Sequence, residues 1–109
     1  MTSTQRRRVA ITGLGTLNPC GLTVGETWTN LLAGRSGIGL IDRFDTTDFA
    51  SKIAGQVKGF NPDLFIEKKE QKKMDIFIQY AMAASQEAMV DAGLDQVQLS
   101  KAEREAFGV

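Results

Sequence analysis

The sequence predicts an α/β fold whose sheet is incomplete within these residues. Three observations carry that reading. A short apolar run near the start is closed by glycines, a second strand-like run stands at 53–57, and helix-start signals recur at Thr23, Asn61, Asp75 and Ser100.

Residues 1 to 5 read as a loose tail. Arg8-Val9-Ala10-Ile11-Thr12 then reads as a short buried strand closed by Gly13-Leu14-Gly15. Thr23-Val24-Gly25-Glu26 matches a capping box, so a helix is expected from Val24 to Ala33, with Gly34 placed to end it. Trp28, Leu31 and Leu32 have the i, i+3, i+4 spacing of a core-facing stripe. From Gly37 to Lys58 the pattern loosens around Phe44 and Phe49, and only Ile53-Ala54-Gly55-Gln56-Val57 reads as a strand. Asn61-Pro62-Asp63 signals a helix start, because the Asn side chain accepts from a first-turn amide and proline lacks an N–H there.

The short helix that follows is expected to carry a run of lysines. Asp75 can cap a second, longer helix through Ala92, closed by Gly93 in the left-handed conformation. Ala81, Ala83, Ala84, Ser85, Ala88 and Ala92 leave little bulk on that helix, so a neighbouring backbone can approach it closely; an exposed alanine-rich helix is the competing reading. Ser100-Lys101-Ala102-Glu103 is another capping box, and Phe107-Gly108-Val109 looks like the start of a strand. A strand that stops where it begins leaves its donors and acceptors without a neighbour, so the expectation is a single unit over 1–109 cut at the start of a core strand.

Bulk composition narrows the functional classes. The chain has 109 residues, 42% hydrophobic and 24% charged, with 13 Lys plus Arg balanced by 13 Asp plus Glu, so no net field draws nucleic acid broadly. It contains no histidine, which excludes imidazole as base, metal ligand or partner to a cysteine nucleophile within these residues. Its one cysteine, Cys20, cannot form an internal disulfide. No leader is visible, because Gly13, Gly15, Asn18 and Pro19 interrupt the apolar run after Arg6, Arg7 and Arg8; a cytoplasmic location is expected. No run approaches the ~18 apolar residues of a membrane helix.

Gly13-Leu14-Gly15 after a strand invites a nucleotide-binding reading, but Asn18 stands at the sixth fingerprint position and Pro19 delays the helix, so no helix end faces the loop. Cys20, between Pro19 and Gly21 with no basic neighbour, reads as inert. The sharper signal is Glu67 to Tyr80. At about 100° per residue, Lys68, Lys69, Lys72 and Lys73 fall within an arc of roughly 140°, with Glu67 and Glu70 pointing away. Such a stripe suits an acidic partner; a solvated helix face with intrahelical ion pairs is the alternative.

Taken together, Arg8-Val9-Ala10-Ile11-Thr12-Gly13-Leu14-Gly15, Leu32-Ala33-Gly34-Arg35-Ser36-Gly37-Ile38 and Lys69-Glu70-Gln71-Lys72-Lys73-Met74-Asp75 resemble the amino-terminal part of the β-ketoacyl-acyl carrier protein synthases. Phe77-Ile78-Gln79-Tyr80 favours the type II elongating enzymes, and a polyketide ketosynthase domain is a near alternative. The resemblance implies the amino-terminal part of a thiolase-like layered α/β/α/β/α fold, incomplete in this chain. It also implies a decarboxylative Claisen condensation in fatty-acid biosynthesis, without cofactor or metal, by a homodimer.

The family's nucleophilic cysteine and two assisting histidines match positions beyond Val109, so no residue here is assigned a catalytic role and the chain alone is expected to be inactive. The positions matching Lys69, Lys72 and Lys73 belong to the family's basic docking surface for acyl carrier protein. Lys72 stands where some members have Arg, which keeps the charge but loses the bidentate geometry. A non-catalytic carrier-binding module and a small nucleotide-binding domain are the competing classes.

Overall fold

Local capping chemistry sets most of the helix ends in the computed structural model, which describes residues 5–107. Helix α1, Val24–Leu32, starts where Thr23 accepts from the Glu26 amide at 3.1 Å. It ends in a complete Schellman motif: the Gly34 amide donates to Leu31 O and the Arg35 amide to Asn30 O, with Gly34 at φ +70°. A 3-10 turn at Pro62–Leu64 is capped by Asn61, which accepts from the Asp63 amide. Helix α2 is Lys68–Gln71 and helix α3 is Ile76–Asp91, closed by Gly93 at φ +74°. A second 3-10 turn, Leu94–Gln96, leads to α4, Lys101–Glu105, where Ser100 and Glu103 form both halves of the capping box.

The sheet is smaller than the sequence suggests. Among the described residues it is one antiparallel pair, β1 (Ile38–Leu40) with β2 (Ile53–Gly55), in the register Ile38↔Gly55 and Leu40↔Ile53. The strand expected at Arg8–Thr12 has no ladder, because no neighbouring strand among the described residues offers it donors and acceptors; Val9 is 91% and Ile11 81% exposed. Gly108 and Val109, two of the three residues read as a beginning strand, lie outside the described residues, as do residues 1–4 of the tail.

Trp28, Leu31 and Leu32 share a face as their spacing requires, yet each is more than half exposed, so the stripe exists without a core to enter. The only apolar side chains that are buried among the described residues are Ile66 and Ala83. The accessible surface of 9230 Å² exceeds the roughly 5,900 Å² of a compact monomer of this mass. The radius of gyration, 18.8 Å, likewise exceeds the about 13 Å of a compact domain of this length.

What organises the chain is one face of α3. Ala84, Glu87, Ala88, Asp91 and Ala92 recur at i, i+3, i+4, i+7, i+8 and alternate small residues with carboxylates. The alanines admit the glycine segment: a Cβ on Gly13 would lie 2.7 Å from Ala92 N, and one on Gly15 2.7 Å from Ala88 N. The carboxylates then accept that segment's amides, Leu14 N–H to Asp91 Oδ2 and Thr16 N–H to Glu87 Oε1, both at 2.9 Å. Glu87 also accepts from the Val24 amide at 3.0 Å and so caps α1 from a distance of 63 residues in sequence. Close approach of a backbone to the alanine-rich helix is thus realised.

Candidate functional site

The lysine stripe lies between the 3-10 turn and α3, and its backbone differs from a single helix. Only Lys68–Gln71 is α-helical. Lys73 N–H and Met74 N–H donate to Glu70 O and Gln71 O, the tighter i to i+3 pattern, before Asp75 takes an extended conformation at φ −65°, ψ 156°. The expected continuity from Pro62 also breaks: Phe65 leaves the helical region and Glu67 is extended, which turns Ile66 inward to 6% exposure. Burying that one apolar side chain outweighs keeping the helix whole, since a four-residue helix has little internal stability to lose.

Lys68, Lys69, Lys72 and Lys73 are all exposed. Glu70 does not point away from them as the wheel implied: it accepts from Lys73 Nζ at 3.4 Å, an i, i+3 surface pair of small energetic worth. Among the described residues Lys68, Lys69 and Lys72 make no ion pair. Asp75 occupies the N-cap position of α3 as expected, but its side chain accepts no cap hydrogen bond.

Two glutamines the sequence reading passed over hold this turn. Gln79, buried in α3, donates from Nε2 to Gln71 O at 3.2 Å and to Met74 O at 3.4 Å. Gln71 in turn donates from Nε2 to Ile66 O at 2.8 Å and to Asp63 Oδ1 at 2.9 Å. An aromatic cluster lies alongside, with Phe60 stacked on Phe65 and edge-on to Tyr80, whose hydroxyl is bonded to Arg43 at 2.8 Å. A period of eight between Gln71 and Gln79, on either side of a helix start, was the only sequence signal available.

The glycine segment and Cys20 lie apart from the lysine turn. The glycine segment meets the side of α3 rather than a helix N-terminus, so Gly13 and Gly15 serve close packing, and a pyrophosphate has no place against them. Cys20 is half-buried in a tight turn, its amide bonded to Asn18 Oδ1 at 2.7 Å. A groove of about 540 Å³, lined by Leu14, Val24, Phe65 and Val90, also holds Glu87 and Asp91, but both carboxylates are engaged by backbone amides. Among the described residues no three potential metal ligands cluster, and no helix is long and apolar enough to cross a membrane.

A family model described as the amino-terminal domain of β-ketoacyl synthase matches residues 6–109. The chain belongs to the β-ketoacyl synthase family. Relatives of this synthase domain bear the name 3-oxoacyl-[acyl-carrier-protein] synthase 2. That of Vibrio cholerae is 51% identical over 90 residues, covering 83% of this chain and 22% of its own. That of Synechocystis sp. is 45% identical over 94 residues, covering 86% and 23%. A solved structure, the ishigamide ketosynthase/chain length factor, superposes with a TM-score of 0.74 at 38% identity, over 91% of this chain and 23% of that one. The fold is therefore that of the thiolase-like ketosynthases, and the chain spans about a fifth of the length of the synthases it matches.

Proposed function

We propose that this chain forms the amino-terminal part of a type II β-ketoacyl-acyl carrier protein synthase and presents Lys69, Lys72 and Lys73 to acyl carrier protein. The whole enzyme then elongates fatty acyl chains by decarboxylative Claisen condensation, as a cytoplasmic homodimer without cofactor. The observation that carries the reading is the lysine turn itself, exposed at every basic position on a chain with no net charge. A local basic cluster on a neutral body steers an acidic helix to one place, and its attraction is screened within about 8–10 Å at working salt.

The chain's own residues supply scaffold and docking but no condensing chemistry. With no histidine it offers no imidazole to activate a thiol, and alone it should turn over no substrate. A second reading, a ketosynthase domain of a polyketide system, is favoured by the name of the solved relative; the identity to synthase 2 proteins favours the first.

The test is titration of the chain with holo acyl carrier protein at increasing salt. Saturable binding that weakens with salt, and is abolished by Lys69→Glu, Lys72→Glu and Lys73→Glu together, is the expected result. Unchanged affinity in the triple variant overturns the docking role.

A further inference from the structure

We propose that Gln71 and Gln79 are positioning residues for carrier docking, holding the lysine turn in one orientation on α3. The inference rests on the docking role of Lys69, Lys72 and Lys73 and goes beyond it to what fixes their geometry.

A helix of four residues leaves nearly all its backbone groups without internal partners, and the turn from Gln71 to Asp75 is irregular, so the segment has little reason of its own to hold a shape. The two amides supply that reason. Ile66 O before α2 is taken by Gln71 Nε2, while Gln71 O and Met74 O after it are taken by Gln79 Nε2. These three acceptors are backbone carbonyls and the fourth, Asp63 Oδ1, is a side-chain oxygen, so each glutamine must present its NH₂ group to them.

Geometry makes Gln79 suited to the role. It lies one turn into α3, where side chains lean toward the helix N-terminus, and so reaches back over the helix start to the preceding turn. At 8% exposure it is one of two buried polar side chains among the described residues, and its partners lie on both sides of Lys72 and Lys73. Lysines on a segment so tied face a partner as a set, and an ordered turn has less rotational freedom to lose on binding.

The test compares Gln79→Met and Gln71→Met, which keep length and remove the donors, with the triple lysine reversal. Amide exchange at Lys69–Met74 and affinity for holo acyl carrier protein are read in each. Roughly tenfold faster exchange in that segment is expected, with weaker carrier binding and an unchanged salt slope, because all the lysines remain. Two results overturn the inference: unchanged exchange in both variants, or faster exchange with undiminished binding. If Gln79→Met also loosens Ala84–Asp91, the outcome of Gln71→Met decides. Binding that survives the lysine reversal instead refutes docking at this turn, which the exchange data alone would leave standing as a purely structural tie.

Discussion

Replacing Gly15 by alanine tests whether the amino-terminal segment is held by close packing on α3. The added Cβ would meet Ala84 O and stand 2.7 Å from Ala88 N, both backbone atoms of a helix that cannot give locally. Overpacking of this kind costs about 1–3 kcal/mol. A less flexible unfolded chain offsets about 0.4–1 kcal/mol of that. The net is a loss of about 1.3 kcal/mol at the midpoints and up to about 2.6 kcal/mol, or roughly tenfold in the local opening equilibrium at the midpoint.

The assay is amide exchange at Leu14 and Thr16, whose N–H groups are bonded to Asp91 and Glu87 and should be released together. Gly25→Ala is the internal control. Nothing lies within 4 Å of its Cβ, so the same change in α1 should stabilise, by up to about 1 kcal/mol. Exchange at Leu14 and Thr16 that is no faster in Gly15→Ala, or a shift of the same sign in both variants, would refute the packing argument.

Other outcomes follow from single groups. Glu87→Gln keeps the shape but turns an NH₂ toward one of the two amides it now accepts from; exchange at Thr16 and Val24 should rise about tenfold, reflecting loss of a charge-assisted bond. Gly34→Ala forces a Cβ into the left-handed region at φ +70° and should fray the last turn of α1 by about 1 kcal/mol, measurable as lost helicity at Leu31 and Leu32. Asp42 accepts from Lys58 Nζ at 2.6 Å, and that bond and charge hold its carboxyl below the usual 3.8. Because the folded value is depressed, the pair's contribution is present above pH 3.8 and disappears as pH falls through the folded value. Lys58→Met should raise the carboxyl titration, followed by NMR, toward its ordinary value, and a midpoint that stays put would refute the pairing.

Local chemistry was legible in the sequence wherever it acts within a few residues. Thr23, Asn61 and Ser100 all accept from a first-turn amide, although among the described residues only Ser100 completes its capping box and Glu26 does not reach back to Thr23, and Gly34 and Gly93 close their helices. The alanines of α3 announced a close neighbour, although not that Gly13 and Gly15 would be the segment to occupy it. Strand β1 escaped because Ile38-Gly39-Leu40 is too short to show a period. Trp28, Leu31 and Leu32 had the spacing of a core face, but periodicity says which residues share a side and not whether anything covers it.

The candidate site shows the same division. Exposure of the lysines was readable, whereas the break at Phe65, the Glu70 to Lys73 pair and the two glutamine ties depend on tertiary placement. Nothing local in the sequence singles out Glu87 and Asp91, because their partners lie 63 to 77 positions away.

Those separations bear on how the chain is made. On a ribosome adding about 5–20 residues per second, Leu14 and Thr16 wait roughly 4–15 s before Glu87 and Asp91 have been synthesised. Throughout that interval the Leu14 and Thr16 amides have no acceptor and α1 lacks its distant cap, while Val9 and Ile11 face solvent then and remain exposed once α3 is in place. The nascent amino-terminal segment is therefore a natural client for a chaperone that binds short apolar stretches, and slowing translation before α3 should lengthen the time its backbone stays undocked and increase misassembly.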